Sequence, residues 1–118
     1  MKFTLEETHI LKNEINKIKR YRELLGATAS LTQIEIILEL AIRSEEGPEK
    51  RTQGSLAEDL GYPAPTIARA LKALKEPQKS TRAKDLQIIE EDKVPDYYRI
   101  RPQHLNKKGI NVVKDLFR

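Results

Sequence analysis

Apolar residues recur at helical spacing in five stretches of this chain, and the breaks between them fall at Gly, Pro or clusters of charge. In the first stretch Leu11, Ile15, Ile18 and Leu25 form one row, widened by Ile10, Tyr21 and Leu24. Thr4 and Glu7 have the spacing of a capping box, and Gly26 ends the pattern. The helix this predicts, 4 to 25, is roughly 33 Å long at about 1.5 Å per residue. Its stripe covers nearly half the circumference, more than one small domain requires, so part of it is expected to meet a second copy of the chain. A single broad contact with its own core is the plainer alternative. In the second stretch Thr32 with Glu35 reads as another capping box, and Leu31 with Ile36 as a hydrophobic staple. Ile34, Ile37, Leu38, Ala41 and Ile42 follow at helical spacing, with Ile36 and Leu40 apolar besides, which predicts the most buried helix.

After a charged loop, SEEGPEKR, Thr52 caps a short helix with Leu56, Ala57 and Leu60 on one face. Gly61 to Pro63 forms a turn, since Gly can take the positive φ of a sharp helix stop. Pro63 and Pro65 are tolerated only in or before a first helical turn, so the next helix starts near Ala64. Ile67, Ala70, Leu71 and Leu74 make its inner face, which turns Pro65, Thr66, Arg69, Lys72 and Ala73 outward. Pro77 stops the pattern and EPQKSTRAK follows as a polar, basic loop. Leu86, Ile88 and Ile89 then predict a strand, VPD a turn, and Tyr97 to Arg101 a returning strand. Alternation puts Tyr98 and Ile100 on one face, with Tyr97, Arg99 and Arg101 on the other. Asn106 caps a last helix in which Ile110, Val113 and Phe117 align, positioned to pack beside the first helix at a dimer interface.

With 118 residues the chain is about one domain, and 34% charged residues against 38% apolar give a heavily charged surface. Without cysteine there are no disulfides, thiolate zinc sites or cysteine nucleophiles. His9 and His104 lie in different elements, and the spacing motifs of zinc proteases, serine hydrolases and nucleotide-binding loops are missing. No catalytic residue, metal or cofactor is therefore expected. The N-terminus reaches acidic residues at once, and no apolar run has the length of a membrane span, so no membrane association and a cytoplasmic location are expected. The net charge of +4 is concentrated: from Tyr62 to Lys84 six basic residues face one acid, and the remainder is close to balance. That placement suits a phosphate backbone, and a merely solvated charge run is the alternative.

The pattern T-Q-x-x-L-A-x-x-L-G, a turn, then P-T-I-A-R-x-L-K-x-L resembles the helix-turn-helix of winged-helix regulators, most of all the multiple-antibiotic-resistance-regulator (MarR) family. The likeness runs from roughly residue 31 to 113 and includes Leu31-Thr32, the IIEE run from Ile88, and Leu105-Asn106-Lys107-Lys108-Gly109. Pro63 stands where the family usually has a capping Ser, 76 to 84 is extra length, and one C-terminal helix follows the wing. The resemblance implies a mainly α fold with a small β-hairpin, one winged-helix domain over 1–118. Its parts are a dimerisation helix 1–26, a DNA-binding core 31–102 with the wing at 86–102, and a C-terminal helix 105–118. It also implies a homodimeric regulator of transcription that binds double-stranded DNA sequence-specifically. Pro65, Thr66, Arg69, Lys72, Lys75, Arg99 and Arg101 are then the expected DNA contacts, and Leu11, Ile15, Ile18, Tyr21, Leu25, Val113 and Phe117 the expected dimer contacts. Relatives often bind a small effector between dimerisation region and reading domain, though nothing in the sequence identifies one. A winged-helix protein-interaction module and a sequence-neutral DNA-packaging protein are the competing readings.

Overall fold

The chain's computed structural model describes residues 2–77, 86–92 and 101–117. Its helices are α1 (Leu5–Leu25), α2 (Leu31–Ile42), α3 (Gln53–Leu60), α4 (Ala64–Lys75) and α5 (Lys107–Leu116), with a 3-10 turn at Pro48–Lys50. Strands β1 (Ile89–Glu91) and β2 (Gln103–Leu105) pair antiparallel, with Ile89 opposite Leu105 and Glu91 opposite Gln103.

Helix α1 begins as the sequence predicts: Thr4 Oγ1 accepts the Glu7 N–H at 3.0 Å while the Thr4 N–H donates to Glu7 Oε1 at 3.1 Å. It ends at Gly26, whose φ is 95°. The start of α2 differs from expectation. Its cap is Ser30, whose Oγ accepts the Gln33 N–H at 3.1 Å, and not Thr32. The segment SLTQIE holds two overlapping capping boxes. Tertiary structure chooses between them, because Glu35 is drawn away to accept the Tyr62 hydroxyl at 2.8 Å. Leu31 is 75% exposed, so the predicted staple to the buried Ile36 does not form.

The core is built from Ile36, Ile37 and Leu40 of α2, Leu56 and Ala57 of α3, and Ile67, Ala70, Leu71 and Leu74 of α4. Leu86, Ile88, Ile89 and Leu105 close it from the ribbon side. The buried stripe of α2 is narrower than predicted, and Ile42 is exposed.

The ribbon also departs from the predicted hairpin. The Ile88 N–H donates to Leu74 O at 2.9 Å, and Ile88 O accepts the Asn106 N–H at 2.9 Å. Both backbone groups of Ile88 are thus committed to α4 and to the cap of α5, and the ladder begins only at Ile89. Leu86 and Ile88 are buried but not strand. The return strand is Gln103–Leu105, and Arg101 has φ 46°, which takes it out of the extended region. The predicted strand from Tyr97 to Ile100, with the VPD turn before it, lies outside the described residues. A close approach explains Gly109: a Cβ there would collide with Ile88 O.

Helix α1 is mostly an arm, in which only Leu25 is buried. The radius of gyration is 16.1 Å, against about 13.5 Å for a compact domain of this length. The anticipated contact of the last helix with the first occurs within the chain: Arg20 donates from Nε and Nη2 to Asp115 O at 3.1 and 2.7 Å. No helix among the described residues is long and apolar enough to cross a membrane.

Candidate nucleic-acid interface

Helices α3 and α4 meet at a turn made of the residue types the geometry demands. Thr52 Oγ1 accepts the Ser55 N–H at 3.1 Å and starts α3; Gly61, at φ 78° and ψ 28°, ends it in the left-handed region. The Gly61 and Tyr62 N–H groups both donate to Ala57 O, at 3.0 and 3.1 Å, and close the turn. Pro63 then sets the extended entry into α4 without a side-chain cap. Ile67, Ala70, Leu71 and Leu74 lock one face of α4 into the core, each under 8% exposed. The opposite face presents Pro65, Arg69 and Lys72 to solvent, with Thr66 half-buried beside them. Among the described residues Arg69 and Lys72 have no ion-pair partner.

Lys75 is different. Its Nζ lies 2.7 Å from Glu91 Oε1, so α4 is tied to β1 and the ammonium is engaged within the chain. The expected phosphate contact at Lys75 therefore competes with an existing ion pair. Arg101 is exposed at the start of the return segment, and Arg99 lies outside the described residues, as do Lys79, Arg82 and Lys84 of the basic loop. Two acidic residues at the ribbon root, which would otherwise repel phosphates, are partly neutralised: Glu91 by Lys75, and Asp92 by Arg51 at 2.9 and 3.0 Å.

Two buried arginines position this surface, and neither was recognised in the sequence. Arg43, at the end of α2, donates to Glu39, Lys50 O, Ser55 and Asp59, which joins α2, the 3-10 turn and α3. Arg51 forms a fork on Asp92 and also donates to Gln103 O at 2.9 Å, while the Gln103 N–H returns a bond to Arg51 O at 2.8 Å. Apart from Glu39, one helical turn before Arg43, each guanidinium spans side-chain partners too distant in sequence for local spacing to reveal. A cavity of about 780 Å³ opens beside Arg51, between the end of α2, the ribbon root and α5.

The ion pairs at the ribbon root carry a pH signature. The Lys75 ammonium beside Glu91 holds its carboxyl below the ordinary value, against partial burial. Burial pushes the Asp92 carboxyl up, but the hydrogen bonds from Arg51 and His104 outweigh it, and the net direction is again down. Depressed carboxyls contribute stability that is fully present above their unfolded values and is lost as pH falls through the folded ones. The thermal midpoint should accordingly fall between about pH 5 and pH 3, less steeply in a Glu91→Gln, Asp92→Asn double variant. Parallel slopes for the two proteins would show that these pairs contribute nothing.

Of the seven expected dimer contacts, Leu11, Ile15 and Ile18 on α1 are 48%, 52% and 62% exposed, and Phe117 is 70% exposed. Tyr21 and Val113 pack partly against the core, and Leu25, 2% exposed, lies within it.

A tight helix-turn-helix, carried on a third helix and flanked by a two-stranded ribbon, defines a winged-helix fold. Two solved structures of S. aureus MepR share it. A point mutant of that protein is 19% identical, with a TM-score of 0.62 over 98% of this chain and 75% of that one. The MepR–DNA complex is 19% identical, with a TM-score of 0.60 over 98% of this chain and 73% of that one. No protein-family model and no curated protein matches the chain.

Proposed function

We propose that this chain is a transcription regulator that binds double-stranded DNA sequence-specifically as a homodimer. One observation carries the reading: α4 has its apolar face locked into the core, and its outer face bears the cations Arg69 and Lys72, which have no ion-pair partner among the described residues. The shared fold with a protein solved on DNA supports it. In a two-fold dimer the two α4 helices would enter successive major grooves about 34 Å apart, so the site is an approximate palindrome. Arg69, one turn into α4, has the length and fork to bond guanine O6 and N7, while Pro65 and Thr66 are small enough to approach a thymine methyl. Lys72 sits a turn further on, where a phosphate is the natural partner.

Fluorescence anisotropy on a selected duplex and on random duplex, at two salt concentrations, tests the reading. Binding should weaken steeply with salt, in line with counterion release, and favour the selected site. Arg69→Ala should cost about 1 to 3 kcal/mol on the selected site and relax one base position, whereas Lys72→Ala should weaken all sequences alike. Equal affinity for both duplexes would mean sequence-neutral packaging. No binding at low salt would remove DNA as the partner and leave a protein-interaction module.

A further inference from the structure

His104 occupies the centre of β2, opposite Glu90 of β1. Its Nδ1 lies 2.7 Å from Asp92 Oδ1, and its Nε2 lies 3.6 Å from Glu90 Oε2. A neutral imidazole has a single N–H. Asp92, an ion-paired carboxylate that can only accept, takes that N–H at Nδ1. The Nε2 lone pair is then left facing the Glu90 carboxylate, acceptor against acceptor. A second proton converts the arrangement, because Nε2 becomes a donor within ion-pair distance of Glu90 and the ring carries charge between two carboxylates.

Charged side chains from several segments share this site. Arg51, from the segment before α3, and Lys114 of α5 line the same cavity as His104, with Glu45 after α2 and Asp92 after β1. Among the described residues, the two carboxylates nearest the ring are Asp92 and Glu90, and a protonated His104 would lie between them. Asp92 stays ionised as the pH falls toward the imidazole range, since Arg51 and His104 both hold it down. The site lies at the root of the ribbon, where the chain leaves toward and returns from the segment expected to carry the wing contacts.

We propose that His104 is a proton-operated latch at the wing root: taking up its second proton bridges Asp92 and Glu90, stiffens the root, and tightens DNA binding. The last step rests on the DNA-binding reading above; the bridge itself does not. A root held on both sides loses less freedom when the wing meets DNA, so preorganisation is the source of the gain. Because the bridge is partly exposed, the effect is modest, about two- to fivefold in affinity.

The test measures DNA affinity at constant ionic strength from about pH 8 to pH 5.5, where imidazoles titrate, for the unaltered protein and for His104→Gln, which retains one donor but cannot charge. Any general tightening of a basic protein on DNA at low pH should persist in His104→Gln, so the latch is the difference between the two slopes. Across that range an affinity gain about two- to fivefold larger in the unaltered protein supports it; identical gains overturn it. His9, exposed on α1, offers a control, and His9→Gln should keep the full slope. NMR of the His104 ring across the same range is independent of DNA. On protonation its signals should shift together with those of the Glu90 side chain, and Glu90→Gln should uncouple them. Failure to bind DNA with that coupling present would reject the function and keep the bridge, whereas DNA binding without the coupling would reject the bridge.

Discussion

A chain carrying Ile15→Glu and Ile18→Glu is expected to elute as a single copy where the unaltered protein elutes as two, and to lose DNA affinity by a factor of roughly 10² to 10⁴. The reasoning starts from α1, 21 residues long and almost free of the core. Ile10, Leu11, Ile15 and Ile18 are each about half exposed along it, and Phe117 at the end of α5 is 70% exposed. Contiguous apolar surface of that kind on a projecting arm is characteristic of an interaction face, and α5, already bonded to α1 through Arg20, extends it. The two glutamates would be solvated in a lone chain, so the fold should persist, but in a dimer they would meet an apolar partner face. Half-site binding by one copy forfeits the effective concentration that links the two α4 helices. Light scattering coupled to size exclusion reads the assembly, circular dichroism the fold, and anisotropy the affinity. An unaltered protein that is monomeric at micromolar concentration, or a double variant that still pairs, would refute the α1 interface.

Much of this architecture was legible because it is written in local spacing. Thr4 and Glu7, the Thr52 cap, Gly61 and the Pro63–Pro65 pair each specify their own few residues, and the structure places all of them as read. The inner face of α4 was equally clear, since an amphipathic helix declares its buried side by period alone. Reading became unreliable wherever a distant partner decides. Ser30 and Thr32 both offer a capping box for α2, and the choice depends on Tyr62, which captures Glu35 from 27 positions away. The ladder should have begun with Leu86 by hydrophobicity, yet Leu74 and Asn106 take the backbone groups of Ile88 first. The three residues of β2 are too few to show an alternation. By sequence Lys75 is one more cation on a basic helix, yet Glu91 of β1 pairs with it. In the candidate interface, then, the outward face of α4 could be read directly, while the supports behind it could not.

Those supports lead to the largest expected change in stability. Arg43→Ala should destabilise the fold by about 3 kcal/mol, which is a large share of the roughly 5 to 15 kcal/mol typical of a whole domain. The side chain is 9% exposed and donates at 2.9 Å to Glu39, 2.7 Å to Lys50 O, 3.2 Å to Ser55 Oγ and 2.8 Å to Asp59. Its removal deprives a carbonyl, a hydroxyl and two carboxylates of their donor at once. The loss is tempered because Asp59 and Glu39 are 53% and 28% exposed and can recover water, which is why the lower end of the range for a broken buried pair applies. Urea titration at fixed protein concentration should show a lower midpoint with an unchanged slope; fixed concentration matters because dimerisation would add to apparent stability. Arg43→Met, which restores much of the volume without the charge, should recover part of the loss if packing contributes, and none if the hydrogen bonds carry it all. Because Arg43 sets α3 against α2, and α3 seats α4 through the Gly61 turn, DNA affinity should fall in Arg43→Ala even at temperatures where the fold is intact. A destabilised variant with undiminished affinity would show that α4 is seated by the core alone.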